Sequence, residues 1–483
     1  MADPTLEISP NGLVSHPTPA AFPNGASSIA DVLSDGVRDH PDRLALIDGE
    51  GNWTYAELEE EVAGRAVRRP ELRGQAFFVD VEPSAELIVA VLSGFRAGGV
   101  WVAASNEPDL GPINASLPEA SGGPDHDGPG VVAFTSGTTG EPKMVVHSQH
   151  SMLLPALVSR EVEPPEEDER IGIPLDLRIA NVMILGPLSA FVRGSTYVVM
   201  RKRYAVGIAE DVAAHGITRL FAVPTLAHDL AHDGEIDAAQ LGSLDRVILG
   251  GSGGDAETQQ RFLDRFGVRP TLSYGLSEAP TGVVRESLDG AIGSRRGLPL
   301  PHVEVVIVDP ATDDELAVGN EGEICLRPAH TGIWAHTFTG TLGYLNRADL
   351  TEQLFRGGLL HTGDRGVLDD DGALRVVGRI DQLIVRGGMN IDPEAIRRVL
   401  LNEFDLCEVA VFGIPDDRLG QQVAVIVEPV DHAAFDGEHL TATISELEPG
   451  VVVDRVAVVD QLPRNEMGKL DRSPDVLRGL LLR

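Results

Sequence analysis

The sequence predicts an α/β protein: a large N-terminal domain of doubly wound sheets with a small barrel-like β unit, then a smaller α+β domain. Three observations predict it. Candidate strands alternate with helical patterns from residue 77 to residue 274, as in parallel sheets with helices on both faces. Short strands and tight turns replace this alternation after Gly293. Beyond residue 381 the chain again mixes helical and strand patterns.

The first elements follow an irregular N-terminal segment that has neither a basic start nor an apolar stretch, so no signal peptide is expected. The patterns that follow predict a helix over 28–39, a hairpin of 44–47 with 53–54, a helix over 56–67, a strand over 77–81, a helix over 84–97 and a strand over 100–103. The last three predict a βαβ unit. The polar, Gly/Pro-rich residues 109–130 predict a connection.

The alternation then continues through the large domain. Its predicted strands are 131–135, 196–200, 219–223, 246–250 and 271–274, and its predicted helices include 207–214 and 256–266. The most apolar segment is 182–200, but Pro187 and Arg193 interrupt it. It therefore predicts buried core rather than a membrane span.

The barrel-like unit and the C-terminal domain complete the predicted organisation. Strands of the unit are predicted at 303–308, 322–326 and 374–377, and the C-terminal domain has a helix at 393–402 with strands at 407–413, 423–428 and 454–459. The boundary is expected at Arg379–Asp381, which gives domains of residues 1–378 and 379–483.

Composition narrows the class of protein. A chain of 483 residues with 42% hydrophobic residues is globular and long enough for two or more domains. Its formal charge of -35 argues against nucleic acid or an anionic membrane as a partner. Two cysteines, Cys325 and Cys407, give no disulfide framework, which suits a reducing cytoplasm.

Lysine is scarce, because only three of the 39 basic residues are lysines. Lys143 ends the run Thr135–Lys143, and Lys469 ends the run Pro463–Lys469; both runs contain glycine. Their retention has two alternative explanations. Either the function needs a compact ammonium that arginine cannot mimic, or the two lysines were retained by chance. The third, Lys202, lies between Arg201 and Arg203 and fits no motif.

The loop that ends at Lys143 follows a predicted strand and predicts a phosphate-binding loop, in which backbone N–H groups and hydroxyls surround an anion. It lacks the Gly-Lys-[Ser/Thr] ending of a Walker loop, and a polar surface turn is the alternative. Its candidate binding residues are Thr135, Ser136, Gly137, Thr138, Thr139, Gly140 and Lys143.

A competing pattern lies at Gly251–Ala256, between a predicted strand and a predicted helix. It fits the G-x-G-x-x-G/A pattern of dinucleotide-binding proteins. The match is short, and no acidic residue ends a following strand at the usual offset. Nicotinamide or flavin binding is therefore the weaker hypothesis.

Three polar clusters follow strands or hydrophobic runs. Tyr274–Glu278 lies just beyond a predicted strand, where α/β sheets bind ligands, and offers an aromatic ring and a carboxylate. His361–Asp364 and Gly378–Asp381 each end a hydrophobic run with charged residues. Each cluster alone is compatible with a turn, and their joint occurrence favours a function.

With these motifs in this order, the chain resembles the adenylate-forming superfamily of acyl-CoA synthetases, luciferases and peptide-synthetase adenylation domains, and is most similar to the acyl-CoA synthetases. The resemblance extends from about Pro41 to Arg472. It rests on Thr135–Lys143, Tyr274–Glu278, Gly322–Leu326, His361–Asp364, Gly378–Asp381, Gly387-Gly388 with Asn390 and Glu394, and Pro463–Lys469.

The resemblance implies a role for each motif in ATP binding. Thr135–Lys143 would hold the β- and γ-phosphates. Tyr274 would stack on adenine beside Gly275 and Ser277, and Glu278 would help to hold Mg²⁺, with Thr135 as a further metal ligand. Asp364 would accept hydrogen bonds from both ribose hydroxyls, with Arg379 close by.

It also implies a mobile C-terminal domain. Asp381 would be the hinge, and Lys469 would contact the substrate carboxylate and the α-phosphate during adenylation. Lys469 and Glu278 are thus the expected catalytic residues. Gly387 and Gly388 would line the tunnel of the thiol acceptor.

The chain departs from the family at the acyl pocket. Members that make CoA esters usually carry a Pro-x-aromatic-His stretch, whereas Pro174–Arg178 has neither an aromatic residue nor histidine. Arg178 is either a substitute carboxylate anchor or a surface arginine. Glycines near the pocket wall indicate room for a bulky acyl group or a tight backbone turn. The expected pocket residues are Leu177, Arg178, Val223, Gly250, Gly251 and Ser252.

The expected function is ATP- and Mg²⁺-dependent conversion of a small-molecule carboxylic acid to an acyl-adenylate, followed by transfer to coenzyme A. One alternative is an enzyme that adenylates only and passes its product to a separate thiolating enzyme or carrier protein. A non-catalytic nucleotide-binding pseudoenzyme is another. Neither nucleic acid nor a membrane is an expected partner.

Overall fold

A computed structural model describes most of the chain: residues 6–17, 19–23, 25, 28–49, 51–118, 127–135, 143–251, 256–293, 296–387, 389–416, 418–430, 435–447, 451–464, 470–471 and 474–481. The chain divides into two compact units. The first comprises Met1–Val318, Cys325–Thr362 and Leu368–Arg375, and the second comprises Gly319–Ile324, Gly363–Val367 and Val376–Arg483. The expected boundary at Arg379–Asp381 stays a prediction.

A long mixed sheet runs through the first unit. The order of its strands is Arg296–Pro299, Val284–Glu286, Pro270–Tyr274, Arg246–Gly250, Arg219–Ala222, Arg170–Gly172, Thr196–Val198, Leu44–Asp48 and Gly51–Thr54. The strands from Pro270–Tyr274 to Leu44–Asp48 are parallel. Their carboxyl ends therefore share one edge, which is where the motif beginning at Tyr274 lies.

Four strands continue this sheet beyond Arg296–Pro299. They are Leu374–Arg379, Leu360–Leu368, Glu321–Pro328 and Val303–Val308, in that order. Three of them correspond to the strands expected in the barrel-like unit, and Leu360–Leu368 was not predicted. The first three of the four strands are divided between the two units. The predicted strand positions are thus close to the observed ones, and the pairing makes them neighbours in one sheet.

A second sheet of the first unit carries the strand that begins with Lys143. Its order is Gly343–Tyr344, Lys143–Ser148, Pro129–Thr135, Val100–Ala103 and Ala76–Phe77. The last three strands are parallel, with the helix Ala85–Arg96 between Ala76–Phe77 and Val100–Ala103. The predicted βαβ unit is therefore confirmed. A short hairpin of Glu7–Ile8 with Val14–Ser15 precedes both sheets.

Helices cover the sheets of the first unit. The α-helices are Ser34–Asp39, Tyr55–Ala66, Ala85–Arg96, Leu110–Ser116, Gln149–Val162, Ala180–Met183, Ser189–Arg193, Ala205–His215, Pro224–His232, Ala256–Phe266 and Ala348–Leu354. Side-chain caps fix several starts, for example Ser84 on Leu87 N and a capping box between Thr54 and Glu57. Short 3₁₀ turns occur at Ile29–Asp31, Pro70–Leu72, Ala238–Leu241 and Arg356–Gly358, and a π-helix occurs at Ile184–Leu188.

Two helical segments differ from their predicted structure. The helix expected over 28–39 is a 3₁₀ turn followed by the separate helix Ser34–Asp39, because the Ser28 hydroxyl caps Ala30 and the first turn closes there. The connection expected over 109–130 contains the helix Leu110–Ser116, which the Asp109 carboxylate caps at Gly111 N. Short polar helices of this kind have no apolar periodicity to predict them.

The second unit holds its own sheet and core. Its strands Met389–Ile391, Ile384–Arg386, Gly420–Pro429 and Leu406–Asp416 are antiparallel neighbours, and Val453–Val458 pairs in parallel with Gly420–Pro429. The helices Pro393–Glu403, Gly437–Leu447 and Pro474–Leu481 accompany them. Buried aliphatic side chains such as Leu400, Val425 and Leu440 form the core.

The apolar segment 182–200 is buried, as predicted. Arg193 within it is fully buried and pairs with Glu169 at 2.6 Å. None of the helices in the described part of the chain has the length and apolarity that a membrane crossing needs.

Candidate active site

The second sheet fixes both ends of the predicted phosphate loop. Thr135 ends one strand and Lys143 begins the next, and the two residues are antiparallel partners. The connection between them, residues 136–142, lies outside the described residues. The roles expected for Ser136, Gly137, Thr138, Thr139 and Gly140 therefore stay predictions, as does that of Thr135.

The ammonium of Lys143 lies over an aromatic ring, with Nζ 5.4 Å from the centroid of Tyr344. Tyr344 is in the strand antiparallel to Lys143–Ser148, directly opposite Val145. Because side chains alternate along a strand, Lys143, Val145 and His147 share the face on which Tyr344 lies. A cation over a tyrosine ring at this distance is electrostatically attracted to it.

The same tyrosine contacts the motif carboxylate. Its hydroxyl donates a hydrogen bond of 2.6 Å to Oε1 of Glu278. The backbone N–H of Thr341 donates a bond of 2.8 Å to the Glu278 carbonyl. Residues 341–344 therefore hold both the backbone and the side chain of Glu278.

His147 holds Ser277, the residue before Glu278. This ring is fully buried and hydrogen-bonds to the backbone of Ser277, while Nδ1 has no partner among the described residues. Burial lowers the pKa of His147 to about 4, against the effect of that hydrogen bond. The ring is therefore neutral near pH 7 and anchors the Tyr274–Glu278 motif without adding charge to it.

The motif glycine is required by a close backbone approach. A Cβ atom at Gly275 would lie 1.4 Å from the carbonyl oxygen of Thr281. The chain turns there through Thr281, whose φ is +65°, and Val283 N donates to the Tyr274 carbonyl at 2.8 Å. Tyr274 and Ser277 are both half-buried on this turn.

A cluster of charged residues lies in the second unit. Arg379 has Nη1 3.4 Å from Oδ1 of Asp364 and Nε 3.0 Å from Oδ1 of Asp381. Gly363 adopts a φ of +71°, and its N–H donates to Glu323 at 3.0 Å. The ribose and hinge roles of Asp364, Arg379 and Asp381 stay predictions, and the structure brings these three side chains together.

The expected pocket residues are fixed by local contacts. Arg178 donates through Nε at 3.0 Å and Nη2 at 2.7 Å to Asp176, and through Nη1 at 3.2 Å to the Ser105 carbonyl. Its side chain is only 16% exposed. This side chain is therefore largely enclosed by protein, and a carboxylate substrate would compete with Asp176 for its guanidinium. Leu177 is buried.

The glycines of the pocket wall serve two different purposes. Gly251 has a φ of +103°, a conformation that needs glycine. Around Gly250 no described atom lies within 4 Å of an added Cβ, so its surface is open. Val223 is buried where the helix Pro224–His232 begins. Ser252 lies outside the described residues.

Two further expected residues lie outside the described part of the chain: Lys469, the expected adenylation lysine, and Gly388. Gly387 is described. It follows the strand Ile384–Arg386 with a φ of +58°, and its N–H donates to the Leu419 carbonyl at 2.7 Å. The catalytic role of Lys469 and the tunnel role of both glycines stay predictions.

Sequence reasoning missed Tyr344, His147 and Thr341. Tyrosine is almost as scarce as lysine, with five in the chain, and two of the five are Tyr274 and Tyr344. The scarcity that drew attention to Lys143 could have drawn attention to Tyr344. His147 has the same strand parity as Lys143, which places it on the same face.

Comparisons with known proteins show what the chain is similar to. The family model described as AMP-binding enzyme matches residues 103–332. A putative acyl-CoA synthetase, YngI, of Bacillus subtilis is 28% identical over 365 residues, covering 74% of this chain and 65% of that protein. The feruloyl-CoA synthase of an Amycolatopsis species is 28% identical over 409 residues, covering 82% of this chain and 78% of that protein.

A third relative and two solved structures extend the comparison. The long-chain-fatty-acid–CoA ligase of Salmonella typhimurium is 29% identical over 346 residues, covering 70% of this chain and 60% of that protein. The chain thus spans less than two thirds of the length of YngI and of this ligase. ATP-bound MatB of Rhodopseudomonas palustris has a TM-score of 0.80 at 23% identity, covering 93% of this chain and 98% of its own. The amide bond synthetase McbA of Marinactinospora thermotolerans has a TM-score of 0.79 at 24% identity, covering 94% of this chain and 100% of its own. These two structures share the fold of this chain.

Proposed function

We propose that this chain is an adenylate-forming enzyme that activates a carboxylic acid with ATP and Mg²⁺ and transfers the acyl group to coenzyme A. The match of residues 103–332 to the AMP-binding enzyme model and the similarity to proteins named acyl-CoA synthetases support the proposal. In the first step a carboxylate oxygen bonds to the α-phosphorus of ATP and pyrophosphate leaves. In the second step a thiol sulfur bonds to the acyl carbon and AMP leaves.

The observation that carries the proposal is the line of three side chains Lys143, Tyr344 and Glu278. One ring contacts a cation at the end of the phosphate loop and a carboxylate of the adenine motif. A site for a nucleoside triphosphate needs both, a donor for phosphate oxygens and an oxygen ligand for the accompanying metal ion. Neither the dinucleotide pattern nor a surface turn requires this combination.

Local charge matters in a chain with a formal charge of -35. The overall field opposes the approach of ATP and of a carboxylate. The first step also brings a carboxylate onto an anionic phosphate, so a cation between them lowers the repulsion in the transition state. Lys143 would bind the outer phosphates, and Lys469 would contact the two reacting groups.

The donor set fits a magnesium ion. Mg²⁺ prefers oxygen ligands and commonly binds one or two carboxylates together with substrate phosphates. Glu278 offers such a carboxylate, with one oxygen hydrogen-bonded to Tyr344. Bound there, the ion would withdraw charge from the phosphates during adenylation. The side chains around it would hold the nucleotide in place.

The acyl acceptor is the weaker half of the proposal. The segment Pro174–Arg178 lacks the histidine that is usual there, and Asp176 already holds the guanidinium of Arg178. This favours a second candidate, an enzyme that makes the adenylate and hands it to a separate thiolating enzyme or carrier. McbA is an amide bond synthetase, so an amine belongs among the acceptors to be tried.

The relatives suggest which acids to supply. One is named a feruloyl-CoA synthase and another a long-chain-fatty-acid–CoA ligase. The open surface of Gly250 suits a bulky acyl group of either kind. A panel of aromatic acids, including ferulate, and of fatty acids of graded length therefore tests the proposed substrate class.

The test is carboxylate-dependent exchange of labelled pyrophosphate into ATP. We expect exchange with at least one acid of the panel. If no acid supports exchange, the proposal is contradicted and the alternative of a non-catalytic pseudoenzyme is favoured. Coenzyme A or an amine is then added and the product identified by mass. Thioester formation supports the ligase, and adenylate without thioester supports the second candidate.

The lysine variants separate the two steps. Lys469→Ala should abolish exchange and spare thioester formation from supplied acyl-adenylate. Equal loss of both half-reactions contradicts the role of Lys469. Lys202→Ala is the matched control, because Lys202 is paired with Glu210 and Asp211 at the surface.

A further inference from the structure

We propose that Tyr344 is a positioning residue that sets the geometry between Lys143 and the carboxylate of Glu278. Its hydroxyl donates a 2.6 Å hydrogen bond to Oε1 of Glu278, and its ring lies 5.4 Å from Nζ of Lys143. The side chain is buried. One phenol therefore contacts both charged groups and fixes their separation.

Tyr344 is itself firmly held by its backbone. Its N–H donates to Thr351 Oγ1 at 2.9 Å, and the N–H of Leu342, two residues earlier, donates to the Val146 carbonyl at 2.7 Å. On the other side Val14 N donates to the Leu342 carbonyl at 2.8 Å. Gly12 packs so closely that a Cβ there would lie 2.4 Å from the Tyr344 carbonyl oxygen. A ring anchored this way cannot follow a moving carboxylate.

The hydroxyl keeps two opposite charges apart. Within the described part of the chain, Lys143 and Glu278 form no direct ion pair, although both lie at the same tyrosine. A direct pair would neutralise the ammonium meant for phosphate and the carboxylate meant for a cation. By giving Oε1 a neutral donor, Tyr344 leaves Oε2 to a metal ion. The inference rests on the proposed function at this point, because the ion accompanies ATP.

The main test compares Tyr344→Phe with the wild-type protein. Phenylalanine keeps the ring below Lys143 and removes only the donor. The probe is Mn²⁺, titrated by electron paramagnetic resonance in the presence of α,β-methylene-ATP. We expect the Mn²⁺ dissociation constant to rise about tenfold, as for a lost hydrogen bond to a charged group. Binding of the nucleotide without a divalent ion should change less than about twofold.

Tyr197→Phe is the matched control. The Tyr197 hydroxyl is buried and has no hydrogen-bond partner among the described residues, so its removal should leave Mn²⁺ binding unchanged. An unchanged Mn²⁺ affinity in Tyr344→Phe overturns the proposal. Equal losses with and without the divalent ion also overturn it, because they indicate general damage to the fold.

A double-variant cycle measures the coupling between Tyr344 and Glu278 in Mn²⁺ binding, which a purely structural role of Tyr344 would not produce. If Tyr344 acts through Glu278, then Tyr344→Phe should add no further loss of Mn²⁺ affinity to Glu278→Gln. Full additivity of the two losses overturns the proposal. The outcomes remain distinct from failure of the proposed function, which shows as absence of carboxylate-dependent exchange in the wild-type protein whatever the Mn²⁺ results.

Discussion

The guanidinium of Arg379 lies 3.4 Å from the carboxylate of Asp364. The acid expected to bind ribose hydroxyls thus has a cation beside it, and that cation is also bonded to Asp381 at 3.0 Å. Arg379 therefore links the expected ribose ligand to the expected hinge within one unit. The pairing fixes the orientation of the Asp364 carboxylate before a nucleotide binds.

The first prediction concerns Asp364. Asp364→Asn should raise the KM for ATP in the exchange reaction about tenfold, because an amide replaces the charged acceptor of both hydroxyls. The variant should also lose the preference of the wild-type protein for ATP over 2′-deoxy-ATP. Asp370→Asn, at an exposed acid nearby in the sequence, should change neither quantity. A variant that still discriminates against the deoxynucleotide contradicts the ribose role.

The second prediction uses the scarcity of lysine. With three lysines in the chain, acetylation at each can be followed by mass spectrometry. Mg²⁺ and ATP should slow acetylation of Lys143 and Lys469 and leave Lys202 unaffected, since Lys202 is held by Glu210 and Asp211 at the surface. Equal protection of all three would point to a general change in the protein instead of contact with the nucleotide.

The third prediction concerns the buried pair Glu169 and Arg193. Glu169 accepts from Arg193 at 2.6 and 2.7 Å and from Arg219 at 3.0 Å. Glu169→Gln removes the charge that both guanidinium groups face, and should lower the free energy of unfolding in urea by about 3–5 kcal/mol. Asp349→Asn, which breaks an exposed pair with Arg347, should have no measurable effect. Equal small effects would contradict the structural importance of Glu169.

The fourth prediction is a loss of stability in acid. Burial lowers the pKa of His302 to about 3, whereas an unfolded histidine titrates near 6.5. Between these values the unfolded state binds a proton that the folded state does not. Stability therefore falls as the pH drops below about 6.5. This residue alone should cost about 2 kcal/mol between pH 7.5 and pH 5.

The measurement for His302 is urea unfolding at both pH values. His302→Phe should show a loss smaller than the wild-type loss by about 2 kcal/mol. His330→Phe is the control for replacing a histidine by phenylalanine, because the His330 side chain is 59% exposed and is not desolvated on folding as His302 is. Identical pH dependence in all three proteins would rule out a contribution from His302.

The fifth prediction concerns Gly275. Gly275→Ala should abolish pyrophosphate exchange and destabilise the first unit, because the new methyl group would clash with the Thr281 carbonyl. Gly64→Ala is the control. Gly64 is an exposed helix residue with nothing within 4 Å of an added Cβ, so this change should stabilise the protein by about 0.5–1 kcal/mol. An active Gly275→Ala protein would show that the turn can relax.

Sequence reasoning succeeded where local pattern decides the structure. The strand Val100–Ala103 and the helix Ala256–Phe266 have the predicted bounds, because each is short, periodic and flanked by turn residues. The helix Gln149–Val162 was missed. Its first eleven residues are all buried, so no polar face marks its period, and Pro155 lies inside it.

The candidate site was predictable in its motifs and in few of its contacts. Lys143, Glu278 and Asp364 are identified by the sequence around each, and the resemblance implies that Arg379 lies close to Asp364. The contacts of Tyr344 and the pairing of Arg178 with Asp176 depend on side-chain directions. Tyr344 meets Glu278 across 66 positions of chain, and nothing near either residue indicates the other.

The strand Gly343–Tyr344 also determines how late in folding the candidate site can form. It bridges to Leu13, pairs with Val146 and orders Glu278 through Thr341, so its contacts join the beginning of the chain to residues more than 300 positions later. Contacts of such high sequence separation form slowly. During synthesis at about 5–20 residues per second, residue 143 leaves the ribosome many seconds before its neighbour Tyr344. The strand Lys143–Ser148 therefore keeps an unpaired edge until Gly343–Tyr344 has been synthesised.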